Sequence, residues 1–181
     1  MRIIAGKHKG RPLLSPKDKG IRPTSSKMRE SLFNILMNMG VIEDAKILDL
    51  CCGTGALGLE ALSRGAAQSL FIDGSSEHLK LAFQNVQYLQ EQDRSVLLRA
   101  NAEDLPFAKE KFNLVFIDPP YFKKVADKAL ISLVKNEWIE KGAIIVVEQG
   151  KTEDLTFSNE HYQEINKRIY GNSKFILLER I

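Results

Sequence analysis

Cysteine is nearly absent from this 181-residue chain: Cys51 and Cys52 are the two it has, and they are adjacent. Neighbours in sequence cannot staple distant segments, so a disulfide framework is excluded and a reducing compartment, the cytoplasm, is expected. Long apolar runs are missing too. None approaches the roughly 18 residues that a membrane span needs, so no membrane partner is expected. After Arg2 only Ile3, Ile4 and Ala5 precede Gly6 and Lys7, too short for a secretory hydrophobic segment. There is no internal repeat and no low-complexity stretch. His8, His78 and His161 stand in no metal-ligand spacing and read as surface residues; no metal is expected. The single tryptophan, Trp138, reads as packing. What remains is 44% hydrophobic and 27% charged, a globular balance that excludes disordered and collagen-like classes. The length suits one domain, with or without a small appendage.

No sign of charge dominates overall: 26 basic against 23 acidic residues give +3. The distribution is uneven. Residues 1–30 hold nine Lys/Arg against Asp18 and Glu30, a net +7, which leaves 17 basic and 21 acidic groups, −4, for the rest. A basic head on a mildly acidic body suits a segment that meets a polyanion, although a solvated charged surface would look the same. Within the head, Arg2–Gly6 and Arg11–Ser15 are β-capable stretches around Lys7-His8-Lys9-Gly10, which predicts a hairpin with a basic tip. Residues 16–23 read as a loop. Thr24-Ser25-Ser26 offer caps for a helix to about Asn38, with Met28, Leu32, Ile35, Leu36 and Met39 as its buried stripe and Gly40 as its stop.

From Lys46 strands and helices alternate. Strands are predicted at 47–50, 70–73, 96–100, 114–117 and 144–147, and helices at 56–64, 76–91 and 125–135. In the second of these helices Leu79, Phe83, Val86 and Leu89 or Tyr88 would face inward. Alternation with strands apolar on both faces specifies a parallel sheet covered by helices on both sides. The tail differs: 162–170 and 174–181, joined by Gly171-Asn172, predict an antiparallel hairpin at the sheet edge.

Two turns carry chemistry. In Ile47-Leu-Asp49-Leu-Cys-Cys-Gly53-Thr-Gly55-Ala-Leu-Gly58 a glycine-rich turn joins strand to helix, letting backbone approach a ligand at a helix N-terminus. Asp73, at the end of the next strand, can accept both hydroxyls of a ribose. The pattern fits a nicotinamide dinucleotide or S-adenosylmethionine. Asp49 favours the second, since a carboxylate there attracts an ammonium and repels a pyrophosphate, and nothing downstream would orient a nicotinamide. Cys51 and Cys52 read as small apolar fillers of the turn. The second turn is Asp118-Pro119-Pro120-Tyr121, at the carboxyl end of a buried strand. Two prolines fix φ and remove two donors, leaving carbonyls as acceptors. A planar exocyclic amine could donate one N–H to Asp118 and the other to the Pro119 carbonyl while its ring stacks on Tyr121. Holding both hydrogens in plane lets the nitrogen pyramidalise as it attacks an electrophilic methyl.

Gly53-Thr-Gly55 together with Asp118–Tyr121 resembles the class I, Rossmann-like S-adenosylmethionine-dependent amino-methyltransferases. The Asp-Pro-Pro-aromatic motif alone leaves adenine N6, cytosine N4, guanine N2 and a glutamine side chain open. The flanks narrow it. Arg2-Ile-Ile-Ala-Gly6, Lys9-Gly-Arg11, Arg22-Pro-Thr24, Arg29-Glu-Ser-Leu-Phe33 and Leu57-Gly-Leu-Glu-Ala-Leu-Ser-Arg-Gly65 are similar to the RsmD family over nearly the whole chain. The resemblance implies a mostly parallel seven-stranded α/β sheet with an antiparallel C-terminal hairpin, helices on both faces, and a small N-terminal hairpin extension. It divides the chain into a basic, RNA-contacting extension, residues 1–23, and a methyltransferase domain, residues 24–181. It implies methyl transfer from S-adenosylmethionine to the N2 amine of a guanine in 16S rRNA, by a monomer acting on small-subunit RNA or a 30S particle or assembly intermediate. Adenine-N6 methylation and a catalytically silent RNA-binding assembly factor are the alternatives. By resemblance, Asp118, Pro119, Pro120 and Tyr121 form the catalytic turn. Asp49, Cys51, Gly53, Gly55, Asp73, Gly74, Asn101 and Ala102 bind the cofactor, and Arg2, Lys7, Lys9, Arg11, Arg22, Thr24 and Arg29 meet the nucleic acid. Three positions depart from the family: it usually has an aromatic-small pair at Cys51-Cys52, more often Glu at Asp73, and commonly Asp at Asn101.

Overall fold

The computed structural model describes residues 1–15, 26–121 and 123–181. Arg22 and Thr24, the expected loop at 16–23 and the caps at Thr24 and Ser25 lie outside the described residues. The basic head folds back on itself as expected: Arg2 and Pro12 form an antiparallel bridge, flanked by Ile3 N–H to Arg11 O and Leu13 N–H to Met1 O. There follow α1 (Ser26–Asn38), β1 (Lys46–Leu50), α2 (Ala56–Ser63), β2 (Gln68–Asp73), α3 (Ser76–Leu89), a 3₁₀ turn (Gln92–Arg94), β3 (Ser95–Arg99), β4 (Phe112–Ile117), α4 (Val125–Lys135), β5 (Ile139–Gly150), β6 (Tyr162–Tyr170) and β7 (Ser173–Arg180).

The described strands form a seven-stranded sheet in the order β3-β2-β1-β4-β5-β7-β6. The first five are parallel; β7 runs antiparallel to β5, and β6 to β7. Successive side chains of a strand point to opposite faces, and two apolar clusters result. Ile47, Phe71, Leu114, Phe116, Val146 and Phe175 pack with α1, α2 and α3. Leu48, Leu50, Ile72, Val115, Ile117 and Val147 pack on the other face with α4 and Trp138. Trp138 is indeed packing: its ring stacks on Phe112 at 5.9 Å. Ile3 and Leu13 of the head belong to the first cluster, so the hairpin is built into the core beside α1 and α2. No helix among the described residues is long and apolar enough to cross a membrane.

Several inward faces differ from the expected ones. In α3 the buried residues are Ala82, Asn85, Val86 and Leu89, whereas Phe83 and Tyr88 are exposed. The stripe is turned toward Asn85 because its amide is consumed internally, accepting from Leu14 N–H and donating to Leu14 O and Thr54 O. In α1, Phe33 and Arg29 join Met28, Leu32 and Leu36 inside, and Met39 falls past the helix end, exposed. α1 is covered both by the sheet, where Phe33 meets Phe116 at 5.6 Å, and by the head, where Arg2 O accepts from Arg29 at 2.5 Å. Two-sided cover widens a buried stripe beyond the usual one. β5 is far longer than its apolar run because the exposed Glu140 to Gly142 precede that run and the buried Glu148, Gln149 and Gly150 continue it.

His8 is corrected most plainly. It is 4% exposed, and its Nε2 lies 2.5 Å from Oε1 of Glu91, itself buried. Lys7 and Arg94 complete the cluster. Against its desolvation, hydrogen bonds with His8, Arg94 and Lys7 hold the Glu91 carboxyl lower than usual.

Candidate active site at the sheet switch point

β1 continues to β2 on one side, while its other neighbour is β4, so the strand order reverses between β1 and β4. Open α/β sheets bind ligands outside the carboxyl ends of their strands at such a point. The two turns singled out in the sequence meet there. Leu50 pairs with Ile117, and Asp118 N–H donates to Leu50 O at 3.3 Å.

The glycine turn is shaped by positive φ at Cys51 (56°), Gly53 (52°) and Gly55 (75°). A Cβ on Gly53 would meet nothing nearer than Cys51 O at 4.0 Å, and one on Gly74 nothing nearer than Ala100 O at 4.0 Å. Both glycines leave backbone open to a ligand. Gly58 has a different function: a Cβ there would stand 2.5 Å from the Phe71 ring, so this glycine allows α2 to lie against β2. Asp49 is 1% exposed and its Oδ2 accepts from Gly58 N–H at 3.0 Å, tying strand to helix N-terminus. Burial pushes its carboxyl up to about 8, against the Gly58 hydrogen bond and with help from Asp73. Burial likewise raises the Cys51 thiol to about 12 and Cys52 well above its usual value. Both stay protonated and unreactive, as turn fillers should.

Asp73 closes the same turn from β2. Its Oδ2 accepts from Gly53 N–H at 3.0 Å and its Oδ1 from Ser75 N–H at 2.8 Å, leaving each oxygen a second lone pair. His78 Nδ1 stands 3.2 Å from both oxygens. That contact was missed in the sequence. The available signal is that Ser75 caps α3, which places His78 in the first helical turn over the end of β2. Asn101 is exposed and its Oδ1 accepts from Glu103 N–H at 3.0 Å; Ala102 is buried beside it.

In the second turn Pro119 is buried, Pro120 exposed and Tyr121 half-buried. The Tyr121 hydroxyl donates to Glu148 Oε1 at 2.8 Å and lies 2.7 Å from Ser173 Oγ. Its phenol is shifted upward, chiefly by desolvation. Asp118 is raised well above the ordinary carboxylate range by desolvation first, then by Glu148 and Asp49. The reason lies in strand alternation. Ile47, Phe71, Phe116 and Val146 share one face, so the residues two places on, Asp49, Asp73, Asp118 and Glu148, share it too. Four carboxylates thus gather on that face at the carboxyl ends of β2, β1, β4 and β5, with Asp49 one step lower, level with Phe71 and Phe116. The charges of Glu148 and Asp49 add to the desolvation of Asp118, and that of Asp73 to the desolvation of Asp49, and a cation entering above them is favoured.

The basic residues of the head divide. Arg2, Lys7 and Lys9 are exposed. Arg11 packs over the Tyr88 ring at 4.6 Å and donates to Tyr88 O. Arg29 is 1% exposed, with Nε and Nη1 buried and without a hydrogen-bond partner among the described residues; it is a core residue, and burial lowers its guanidinium from its usual value. It therefore leaves the set expected to meet nucleic acid.

Comparison with known proteins fits this geometry. A family model described as "Conserved hypothetical protein 95" matches residues 1–179. Ribosomal RNA small subunit methyltransferase D of Escherichia coli is 33% identical over 183 residues, covering 99% of this chain and 90% of that protein. Its Haemophilus influenzae counterpart is 36% identical over 163 residues, covering 86% and 81%. Among solved structures, yhhF of Escherichia coli superimposes with a TM-score of 0.87 at 33% identity, over 99% of this chain and 97% of that one. Magnesium protoporphyrin IX methyltransferase of Synechocystis, solved with bound SAH, shares the fold alone: TM-score 0.68 at 11% identity, over 86% and 83%. With a Rossmann-like sheet whose glycine turn and Asp-Pro-Pro-Tyr turn meet at one switch point, the chain belongs to the RsmD family of methyltransferases.

Proposed function

We propose that this protein transfers a methyl group from S-adenosylmethionine to the exocyclic N2 amine of a guanine in small-subunit ribosomal RNA. The observation that carries the reading is the juxtaposition of Asp118-Pro-Pro-Tyr121 with the glycine turn, strand end against strand end, through Asp118 N–H and Leu50 O. The cofactor, when bound, supplies a methyl carbon made electrophilic by a sulfonium. The open backbone at Gly53 and Gly74 fits such a ligand, with Asp49 and Asp73 offering charge to its ammonium and acceptors to its ribose. Asp118 and the Pro119 carbonyl take the two amine hydrogens, and Tyr121 supports the ring. One proton leaves the amine as the N–C bond forms. Asp118 in its ionised form, raised above the ordinary carboxylate range, is a better proton acceptor for it than an ordinary carboxylate. The exposed Arg2, Lys7 and Lys9 suit phosphate contacts that position the RNA while the pocket selects the base. The target guanine must be unstacked to reach Asp118.

The test is transfer of labelled methyl to small-subunit RNA from cells lacking this protein, offered naked and as 30S particles, followed by nucleoside analysis. N2-methylguanosine is expected. Label in N6-methyladenosine overturns the base assignment. Cofactor binding without transfer to either RNA form would instead favour an assembly factor.

A second expectation concerns Asp49. Its carboxyl is protonated below about pH 8 in the free protein, and a cationic ligand above it favours the ionised form. Binding therefore releases a proton. Affinity for S-adenosylmethionine should rise with pH up to about 8, by at most tenfold per unit. Calorimetry in buffers of different ionisation enthalpy reads the released proton, and Asp49→Asn should abolish both it and the pH slope. A flat affinity in the unsubstituted protein rejects the coupling.

A further inference from the structure

Behind the amine turn stand two side chains that the function so far leaves unused, Glu148 of β5 and Ser173 of β7. Glu148 is 3% exposed. Phe175 shares the α1 face with Val146, and β5 and β7 pair Glu148 with Phe175 and Gly150 with Ser173. Ser173 therefore lies on the same face as Glu148, and their oxygens converge on the Tyr121 hydroxyl at 2.7 and 2.8 Å. A phenol has one proton to give. Tyr121 gives it to Glu148 and accepts from Ser173, so the contact has a fixed polarity. Its ring is then held at both ends, by the diproline backbone at Cα and by two core strands at the hydroxyl.

Resting on the reading of Asp118–Tyr121 as an amine-methylation site, we propose that Glu148 is a positioning residue of that site. It fixes the Tyr121 ring through its hydroxyl and places a second carboxylate beside Asp118 on the same sheet face. The first action matters because a stacking platform displaced by an ångström misaligns the amine with the methyl, which costs on the order of 100-fold in rate. The second makes Asp118 a stronger proton acceptor. Asp118 is faced by Asp49 from β1, by Cys51 from the glycine turn, by Glu148 from β5 and by Tyr121 from its own turn. Lys124, at the start of α4, and Glu153 line the cleft beyond Tyr121 with Pro119 and Pro120. Glu148 is the nearest of these in effect, after desolvation, on the Asp118 carboxyl.

The two actions separate by substitution. Glu148→Gln keeps an acceptor for the Tyr121 hydroxyl and removes the charge; Glu148→Ala removes both; Tyr121→Phe removes the clamp and keeps the ring. Carboxyl-carbon NMR on aspartate-labelled protein, with Asp118 assigned from Asp118→Asn, should show the Asp118 midpoint moving to lower pH in Glu148→Gln. The acid limb of the kcat profile should move the same way. In Glu148→Ala, kcat should fall by about 10–100-fold with the KM for S-adenosylmethionine unchanged, and Glu148→Gln should restore much of that loss. Glu148→Ala combined with Tyr121→Phe should be no worse than the poorer single variant. An unmoved Asp118 midpoint in Glu148→Gln, or additive losses in the double variant, overturns the proposal. The titration needs no RNA: if the unsubstituted protein methylates another base, the functional reading falls while the NMR result still decides the place of Glu148.

Discussion

Asp118→Ala should cripple methyl transfer, lowering kcat by roughly 100- to 1,000-fold, the loss typical of removing one preorganised group aimed at a charge-developing atom. The fold should survive, because Asp118 follows the last residue of β4 and its backbone N–H to Leu50 O does not depend on the side chain. Stability should change in an informative direction. Asp118 is raised above its unfolded value by desolvation, Glu148 and Asp49. The folded state therefore binds this proton more tightly than the unfolded chain. The stability linked to it is present below the ordinary carboxylate range and lost as pH rises through the raised value. The alanine variant lacks that loss, so its thermal midpoint should exceed the parent's at alkaline pH and approach or fall below it in acid. Asp118→Asn should share the alkaline gain while keeping one carbonyl acceptor for the amine, and so retain more activity. Calorimetric melts across pH, paired with the labelled-methyl assay, check both. A variant inactive because it is unfolded, or a parent whose stability does not decline toward alkaline pH, would refute this account. An active site assembled from like charges is less stable than it could be, a common relation between function and stability.

The sequence announced the turns better than their surroundings. Glycine and proline restrict or free the backbone locally, so Gly53, Gly55 and the diproline at 119–120 could be read without knowing what packs on them. The alternating apolar runs likewise located the parallel strands and the C-terminal hairpin to within a few residues at most ends. What escaped was tertiary in origin. Glu148 sits in a run of buried residues, and nothing local tells a buried carboxylate that receives a tyrosine hydroxyl from an ordinary sheet residue. Ser173 reaches the same hydroxyl from the neighbouring antiparallel strand, a pairing legible only once the register is known. His8 looked like part of a charged hairpin tip; its burial depends on Glu91, 83 residues away. Helical spacing puts Phe83 and Tyr88 inward, but Asn85 claims the buried face through backbone partners at Leu14 and Thr54. Arg29 shows the same limit from the other side: within a basic head it reads as a phosphate contact, and only the packing of α1 under Arg2 shows it enclosed.

The position where local freedom and tertiary contact coincide most sharply is Gly6. It has φ of +80°, and a Cβ there would lie 1.8 Å from Ser63 O and 2.4 Å from Ser63 C, backbone atoms at the end of α2 that cannot step aside. Around it the head is sewn to α2: Ile4 and Ala5 N–H donate to the Glu60 carboxylate at 2.8 and 3.1 Å, Lys7 N–H to Ser63 O at 2.7 Å, and His8 N–H to Ser63 Oγ at 2.9 Å. Gly6→Ala meets both penalties at once, an unfavourable φ for an L side chain and a backbone collision. It should therefore cost several kcal/mol, at the far end of single-substitution effects. The cheapest escape is to lift the hairpin, exposing Ile3 and Leu13 and depriving the buried Glu60 and Glu91 of their partners in the head. The thermal midpoint should fall steeply, and amide exchange should speed up first in residues 3–13 and along α2. If the head positions RNA, affinity for small-subunit RNA should fall with it and its salt dependence should flatten, because exposed cations no longer act from a fixed frame. Lys9→Glu separates the two roles: the side chain is exposed, so it should weaken RNA binding and leave the melt unchanged. A Gly6→Ala protein with parental stability would show that the hairpin is not docked as described. A Lys9→Glu protein with parental RNA affinity and salt slope would remove the tip of the hairpin from the RNA-contacting surface.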